Sequence, residues 1–289
     1  MMNTNISSVA VLLTCHNRRE NSLECLRSFG GNSEFDERIK FDVFLVDDGS
    51  TDGTSAAVLK DFQQVQIING DGSLYWCGGM RLAWETAIQK AEYDYFLWLN
   101  DDTLLKPGAI SEMITAAETN PGIIVGSCHD PKSGVWTYGG RATPTGHKSL
   151  SGTPVVPSGQ AQPCQQINGN IVLIPSFVVE KIGILSDCFT HAIGDFDYGF
   201  RALNAGIPIH VAPHYQGACS ANPLPAWCNP ATSFMKRVAL LNSPKGIHFS
   251  EFMVFCRRHF GFGAITVGVK VLLRILLPSL WVRRNGGKQ

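Results

Sequence analysis

The chain has 289 residues, enough for one large or two small domains with a substantial buried core. Hydrophobic residues make up 44% of it and charged residues 17%, which is typical of a globular protein, and the formal net charge is zero. Nine cysteines without a CxxC pair argue against a zinc site or a disulfide framework and favour reduced thiols in a cytosolic enzyme. The first apolar run, 9–13, is too short for a signal peptide, so we expect a cytoplasmic protein.

Strand and helix patterns alternate through the first half of the chain. Short apolar runs predict strands at 9–13, 41–46, 65–68 and 95–99. Helical periodicity predicts helices at 20–29, at about 51–62, at 80–91 and at 109–117, the second of them capped by Ser50 or Thr51. This order of elements predicts an α/β fold with a mostly parallel, Rossmann-like central sheet flanked by helices.

The pattern is broken between residues 128 and 163, where Gly, Pro, Ser and Thr predict irregular hairpins or a mobile loop. Beyond it the sequence predicts a strand at 170–174, a short helix at 178–182, a helix at 195–205 closed by Gly206, and a strand at 207–211. We therefore expect one domain over 1–235, with a first half to about 127 and a second half over 128–235. A helical extension follows over 236–289.

The extension is basic and apolar. It has ten basic residues and one acidic residue, a net charge of +9, whereas the rest of the chain carries −9. Residues 264–282 are largely apolar, but Lys270 and Arg274 interrupt them and Pro278 breaks them, so a membrane-spanning helix is not expected. Lys270 and Arg274 share a helical face, which favours a helix lying on an anionic membrane surface. The alternative is a helix that packs on the catalytic body; a nucleic-acid partner is not expected, because no binding motif accompanies the charge.

Carboxylates follow two of the predicted strands. Asn100-Asp101-Asp102 follows strand 95–99, at the end where open α/β sheets bind ligands. Carboxylates there can hold Mg²⁺ or Mn²⁺ together with a substrate diphosphate. Asp47-Asp48 follows strand 41–46 and could accept hydrogen bonds from a nucleobase or from ribose. For both pairs the alternative is a role confined to the turn or to the start of a helix.

A third acidic group begins the helix predicted at 195–205. Asp195 and Asp197 lie in its first turn, where the helix dipole is expected to keep Asp195 ionised. An ionised carboxylate beside a metal-bound diphosphate is suited to accept a hydroxyl proton.

Together these segments resemble an inverting, family 2 glycosyltransferase of the GT-A fold, close to bacterial surface-polysaccharide and rhamnosyltransferase-like enzymes. The matching segments, in the order of the family, are 11–18, 46–52, 78–81, 99–102, 168–174, 182–183 and 195–206. The chain departs from the family pattern at Asn100 and Gly194, where an acidic residue is expected.

The resemblance implies roles for particular residues. Asp195 matches the catalytic base, and Asp102 and His214 would bind Mg²⁺ or Mn²⁺, although His214 could equally be structural. The donor site would be formed by Thr14, His16, Asn17, Asp47, Asp48, Gly79, Arg81 and Asp101. Trp76 would border the donor sugar or serve packing.

The expected function is therefore transfer of a sugar, with inversion, from a UDP- or dTDP-sugar to a glycan acceptor. The resemblance and the basic extension together favour a lipid-linked acceptor and a peripheral position on the inner face of the cell membrane. A sugar-phosphate nucleotidylyltransferase is disfavoured, because no Gly-rich basic loop follows the first strand, and a dehydrogenase lacks its GxGxxG motif. The remaining alternative is a glycan-binding or membrane-surface scaffold of the same fold without turnover, to which the two missing acids would point.

Overall fold

A computed structural model describes residues 6–33, 36–143, 150–223, 225–243 and 246–280. The strands are β1 Ser7–Cys15, β2 Ile39–Asp47, β3 Val65–Asn69, β4 Tyr95–Leu99, β5 Leu104–Leu105, β6 Ile123–His129, β7 Trp136–Tyr138, β8 Arg141–Ala142, β9 Thr153–Pro154, β10 Gln162–Pro163, β11 Ile171–Pro175 and β12 Ile209–Ala218. The helices are α1 Arg19–Ser33, α2 Thr54–Asp61, α3 Tyr75–Lys90, α4 Ala109–Thr119, α5 Ser176–Ile182, α6 Gly194–Asn204, α7 Phe234–Leu241, α8 Phe249–Phe260 and α9 Gly263–Leu276.

The chain forms two compact units. The first runs to Asp187 and continues from Asp195 to Ala221, and the second comprises Cys188–Gly194 and the chain from Asn222 onward. The second unit thus begins earlier along the chain than the extension expected from residue 236.

The first unit is built on one mixed sheet with the strand order β10-β12-β6-β11-β4-β1-β2-β3. Strands β4, β1, β2 and β3 are parallel neighbours, which confirms the predicted α/β fold. Strand β11 is inserted antiparallel between β4 and β6, and β12 runs parallel to β6. The sheet is therefore parallel on the side of β1 and mixed on the side of β12.

Alternate residues of β1 enter two different cores, because successive side chains of a strand point to opposite faces of the sheet. Val11 and its odd-numbered neighbours pack in the cluster that contains Leu26 of α1 and Ile110 of α4. Leu12 and its even-numbered neighbours pack in the cluster that contains Trp84 of α3. Helices thus cover both faces, and the apolar strands 9–13 and 95–99 are buried as the sequence predicted.

Three elements differ from the sequence prediction. Helix α2 is preceded by Gly53 in the left-handed conformation, not by a Ser50 or Thr51 cap, and both of those residues bond to Asn17 instead. Helix α3 begins five residues earlier than expected, at Tyr75. Strand β6 was not predicted, because Gly126 and polar residues follow its three apolar positions.

The irregular region from residue 128 contains four short strands in its described part. Strand β7 pairs with β6, β10 pairs with β12, and β8 pairs with β9 in a separate two-stranded sheet. Residues 144–149 lie outside the described part of the chain. Strand β12 continues to Ala218, well beyond the predicted end at 211, and Gly206 closes helix α6 at a positive φ of 73°.

The second unit is helical in its described part. Helix α8 buries Phe252, Phe255 and Cys256, and helix α9 packs beside it with Gly268 against Met253. Arg237 of α7 is buried and donates from Nε to the carbonyl of Ile275, 3.0 Å away. Among the described residues no helix combines the length and the hydropathy needed to cross a membrane.

Candidate active site

The candidate site lies at one edge of the sheet. Strands β1, β2, β3 and β4 are parallel, so the residues after Cys15, Asp47, Asn69 and Leu99 are all at this edge. Strand β11 is antiparallel to β4 and pairs its first residue, Ile171, with Leu99. The residues before β11 therefore reach the same edge as the residues after β4.

The loop after β1 is bound to the loop after β2. His16 Nδ1 lies 2.6 Å from the carbonyl oxygen of Asp48, and it must carry the proton because a carbonyl only accepts. His16 Nε2 then accepts from the side-chain amide of Asn17 at 3.1 Å. Asn17 Oδ1 accepts the backbone N–H of Thr51 at 2.7 Å, and its own N–H donates to Ser50 Oγ. His16 and Asn17 are exposed and accessible to a ligand.

Asp48 is buried and organises the start of helix α3. Its carboxylate accepts the backbone N–H groups of Gly72, Leu74 and Tyr75 at 2.8, 3.2 and 2.9 Å. Asp48 therefore stabilises the start of a helix, as the alternative interpretation predicted, but this helix is α3 rather than α2. The charge at the amino end of α3 is favourable to the helix dipole.

Asp47 is also buried and holds its own loop. Its Oδ1 accepts the N–H of Ser50 at 2.9 Å, and its Oδ2 accepts the hydroxyl of Ser55. Asp47 lines a cavity of about 300 Å³. The other lining residues are Gly49, Ser50, Gly53, Thr54, Ser55, Ala56, Asn69 and Gly70.

Asp101 and Asp102 share one guanidinium. Arg18 Nη1 lies 3.2 Å from Asp101 Oδ1, and Arg18 Nη2 lies 2.7 Å from Asp102 Oδ2. Asp101 is 4% exposed, and this burial raises the pKa of its carboxyl to about 7 although Arg18 opposes the rise. The site thus contains two adjacent carboxylates, and the guanidinium of Arg18 partly neutralises their charge.

These carboxylates fit a divalent cation that is shared with a ligand. Asp101 Oδ2 is buried and accepts no hydrogen bond among the described residues, so an oxygen is left for a cation. Mg²⁺ and Mn²⁺ prefer such hard oxygen ligands, and Mg²⁺ commonly takes only one or two carboxylates together with phosphate oxygens. Within the described ranges no group of three His, Cys, Asp or Glu side chains could hold a metal without such a ligand.

His214 lies outside this arrangement. Its Nδ1 is 2.9 Å from Oε1 of Glu112 on helix α4, and the same oxygen accepts its backbone N–H. Glu112 is also bound by Lys106 and Gln216. The structure does not bring His214 into a metal-binding group with Asp101 and Asp102, which favours the structural role.

Asn100, which stands where an acid was expected, joins the two halves of the site. Its backbone N–H donates to the carbonyl of Asn170 at 3.0 Å, and its Oδ1 accepts Nε1–H of Trp76 at 2.8 Å. The Trp76 ring in turn packs edge-on against Trp98 and lies against Gly169. A carboxylate at position 100 is not needed for these bonds, because an amide oxygen accepts the indole N–H equally well.

Asp195 reaches the same edge through the loop before β11. Its Oδ2 accepts the N–H of Gly169 at 3.2 Å, and its Oδ1 accepts the N–H of Phe196 at 2.8 Å. Burial raises the pKa of Asp195 to about 6 in spite of these two donors. Burial is thus the largest influence on the pKa of Asp195, and the carboxyl remains ionised at neutral pH as expected. At neutral pH the carboxylate is still mostly ionised and is a stronger base than an ordinary aspartate.

The neighbouring charges of α6 are structural. Asp197 is fully buried and accepts from Arg201 Nε at 3.0 Å. The other two nitrogens of Arg201 donate to the carbonyls of Ile182 and Ile184 at 2.7 and 2.6 Å. This network fixes the end of α5 to α6, and α6 carries Asp195.

Thr14, Gly79 and Arg81, which were expected at the donor site, contact other parts of the protein. A Cβ at position 79 would overlap the Thr14 side chain, so this glycine allows α3 to approach β1 closely. The close approach is between helix and strand, and Gly79 itself is buried. Arg81 donates to the carbonyl of Ser186 at 3.2 Å.

The sequence did not predict the contacts that Arg18, Asn170 and Glu112 make. Arg18 was seen within a motif, but its partners lie 83 and 84 positions along the chain. The side chain of Asn170 donates to Thr103 Oγ1 at 3.2 Å, also a long-range contact. The only signal was the position of Arg18 and Asn170 beside predicted strand ends.

Residues 10–167, more than half of the chain, match the family described as Glycosyl transferase family 2. The chain belongs to this family. The match includes the loops of β1, β2 and β4 described above and ends just before Gly169. A search of curated proteins found no significant match.

Solved structures of S. aureus TarS share the fold. TarS 1–349 superposes with a TM-score of 0.53 at 15% identity, over 88% of this chain and 72% of that solved chain. TarS 1–349 in complex with UDP-GlcNAc gives a TM-score of 0.56 at 13% identity, over 92% and 72% of the two chains. The likeness covers nearly the whole chain and confirms the predicted GT-A fold.

Proposed function

We propose that this family 2 glycosyltransferase moves a sugar from a nucleoside diphosphate sugar to a hydroxyl group of a glycan acceptor, with inversion. One observation carries the proposal: Asp195 is brought to the edge that holds Asp101 and Asp102. The connection runs through the bonds from Gly169 to Asp195 and from Asn100 to Asn170. A single displacement needs a base for the acceptor hydroxyl close to the carboxylates that would bind the diphosphate through a metal ion.

The donor side is assigned to the loops after β1, β2 and β4. His16 and Asn17 are exposed there, and Asp47 lines the adjoining cavity. The fold is shared with TarS, whose structure in complex with UDP-GlcNAc has been solved. This likeness supports a UDP-sugar or a dTDP-sugar as the donor. Asp48 acts by holding the loop between β3 and α3.

Asp101 and Asp102 would hold Mg²⁺ or Mn²⁺, for which the buried Oδ2 of Asp101 leaves a free oxygen. Such an ion offsets the negative charge that develops on the departing diphosphate. Arg18, whose guanidinium already contacts both carboxylates, would turn its remaining N–H groups to the diphosphate oxygens. Arg18 is 41% exposed in its side chain, so a ligand can reach it.

Asp195 would act as the general base. Its raised pKa, about 6, leaves it ionised at neutral pH yet basic enough to accept the proton of an acceptor hydroxyl. The hydroxyl oxygen then forms the new bond to the anomeric carbon while the bond to the diphosphate oxygen breaks. Attack from the face opposite the diphosphate inverts that carbon, and no enzyme nucleophile takes part.

The acceptor is proposed to be a lipid-linked glycan at the inner face of the cell membrane. The ten basic residues after position 235 support a location near anionic lipid. All nine cysteines lie in the described part of the chain and none forms a disulfide bond, which suits a reducing compartment.

A thermal-shift panel of UDP, dTDP and GDP, each with and without Mn²⁺, tests the donor site. A ligand that binds only the folded state raises the melting temperature, so one nucleotide is expected to give an Mn²⁺-dependent rise. Asp102→Asn should lose the Mn²⁺-dependent part of that rise. Asp61→Asn, which changes an exposed carboxylate of helix α2, should keep it. No shift with any nucleotide would contradict the proposal and favour a scaffold of the same fold.

A further inference from the structure

Helix α9 of the second unit has two apolar faces. The inner face is formed by Ala264, Gly268, Val271 and Ile275, which are all buried. Their spacing of four, three and four residues places them on one side of a helix. This side packs beside α8, with Gly268 against Met253, and the carbonyl of Ile275 accepts from Arg237. The inner face of α9 thus packs within the second unit itself.

The other side of α9 is apolar and uncovered in the chain described here. Ile265, Val269, Leu272, Leu273 and Leu276 form this outer stripe, with 47–68% of each residue exposed. At 100° per residue these five side chains span an arc of roughly 100° around the helix axis, and this arc does not overlap the inner face. Phe262 and Leu280, at the two ends of the helix, are 96% and 60% exposed. Seven large apolar side chains are thus presented to the surroundings along one short segment.

The charges around the outer stripe have one sign. Lys270 is exposed and borders the stripe, whereas Arg274, one turn later, is half-buried against the protein. The second unit has ten basic residues and a single acidic residue, Glu251. Glu251 is engaged within its unit, accepting the N–H and the hydroxyl of Thr190 at 2.9 and 2.6 Å. No carboxylate side chain other than Glu251 is available in this unit to oppose an anionic surface.

We infer that the outer stripe of α9 inserts into the interface of an anionic lipid bilayer, with Lys270 at the level of the headgroups. A continuous exposed apolar stripe marks a binding surface, and basic residues beside it favour anionic lipid over a second copy of the same positively charged unit. The helix is about 21 Å long, shorter than the hydrocarbon core of a bilayer, so it lies in the plane of the membrane. The leucines that contact lipid are Leu272, Leu273 and Leu276, whereas Val271 and Ile275 serve the protein core.

Vesicle co-sedimentation of the full chain tests this inference. The wild type is expected to bind vesicles of phosphatidylcholine with one-third phosphatidylglycerol, to bind pure phosphatidylcholine more weakly, and to be partly released by salt. The triple variant Ile265→Gln, Leu272→Gln, Leu276→Gln should lose roughly tenfold or more of the partition coefficient. Glutamine keeps the helix propensity high, and circular dichroism and the melting temperature verify that the variant folds.

Matched variants on the first unit separate a specific surface from general stickiness. Leu59→Gln, Ile88→Gln and Val135→Gln together remove three apolar side chains that are 46–61% exposed. This control should bind vesicles as the wild type does. Lys270→Glu should weaken binding to the anionic vesicles several-fold, whereas Lys132→Glu, an exposed lysine of the first unit, should not.

Three results would overturn the inference. The first is absence of wild-type binding to anionic vesicles, and the second is equal binding by the triple variant. The third is a wild-type dimer that the triple variant converts to a monomer, which would make the stripe an interface between copies. Because Asp195→Asn leaves this surface unchanged, its vesicle binding should equal that of the wild type, so failure of this inference and failure of the proposed transfer are distinguishable.

Discussion

Arg18 connects the loop after β1 to the carboxylates after β4. The guanidinium contacts one oxygen of Asp101 and one of Asp102. Removing it takes away the charge that lowers the pKa of the buried Asp101 and leaves Asp102 without this partner. We expect Arg18→Ala to lower the free energy of unfolding at pH 8 by about 1–2 kcal/mol, after allowing for the partial exposure of Arg18.

Added Mn²⁺ should restore part of this loss, because a divalent cation can take over the neutralisation of the two carboxylates. The measurement is the melting temperature of Arg18→Ala and of wild type with and without Mn²⁺. Arg27→Ala, which removes an exposed arginine paired with Asp61 at 3.4 Å, is the control and should show neither effect. An equal response to Mn²⁺ in all three proteins would contradict the prediction.

The proposed role of Asp195 as the general base can be tested by substitution. Asp195→Asn should fold and bind nucleotide but lose transfer by about 10²–10⁴-fold, the usual contribution of a general base. The wild-type rate should fall as the pH drops below about 6, where the carboxylate is protonated, whereas the residual rate of the variant should not show this limb. Steady-state transfer rates over a pH series provide the measurement. Asp61→Asn, an exposed carboxylate, should behave as wild type.

The packing of helix α3 on strand β1 depends on one position. Gly79→Ala introduces a methyl group that overlaps Thr14, so we expect a loss of about 1–3 kcal/mol in the free energy of unfolding. Gly31→Ala is the matched control, because Gly31 lies in helix α1 with nothing within 4 Å of the added methyl group. That variant should gain up to about 1 kcal/mol from helix propensity. Urea unfolding of both variants would show opposite signs, and equal signs would contradict the packing role.

The elements that sequence predicted well are those with an uninterrupted signal. Strands β1 and β4 are continuous apolar runs, and helix α6 ends at Gly206 as its sequence indicated. Strand β6 was missed because its apolar run is short and is interrupted by Gly126. The early start of α3 was missed because its first turn is fixed by Asp48, whose partners lie 24–27 positions away. Sequence periodicity carries no information on such contacts.

The same limit applies to the candidate site. The loops with carboxylates were located correctly from strand ends, because parallel strands bring those ends to one edge. Two contacts depend on side-chain geometry between residues far apart in the sequence. They are the ion pair of Arg18 with Asp101 and the contact of His214 with Glu112. The balance of burial against the helix dipole at Asp195 likewise requires the packed structure.

For the whole molecule, burial of Asp195 links folding to pH. Its pKa rises from about 4 in the unfolded chain to about 6 in the folded protein, so between these values the folded state binds more protons. The Asp195 carboxyl therefore makes the free energy of unfolding fall as the pH rises from about 4 to about 6. Above pH 6 its contribution no longer changes with pH. Asp195→Asn should gain up to about 3 kcal/mol relative to wild type across that interval. Denaturant unfolding at pH 4, 5, 6 and 7 measures it, and a difference that does not change with pH would contradict the prediction.

The placement of β11 beside β6 has a consequence for redesign. Between β6 and β11 the described part of the chain adds only the short strands β7 and β10 to the sheet, and β11 is hydrogen bonded to β6 itself. The intervening stretch therefore starts and finishes at adjacent strands, and the closure cost of a longer excursion grows only slowly with its length. Insertions in the loops of this stretch would therefore add new surface at the edge of the sheet that carries Asp101, while the hydrogen bonds between β6 and β11 hold the ends of the stretch in place.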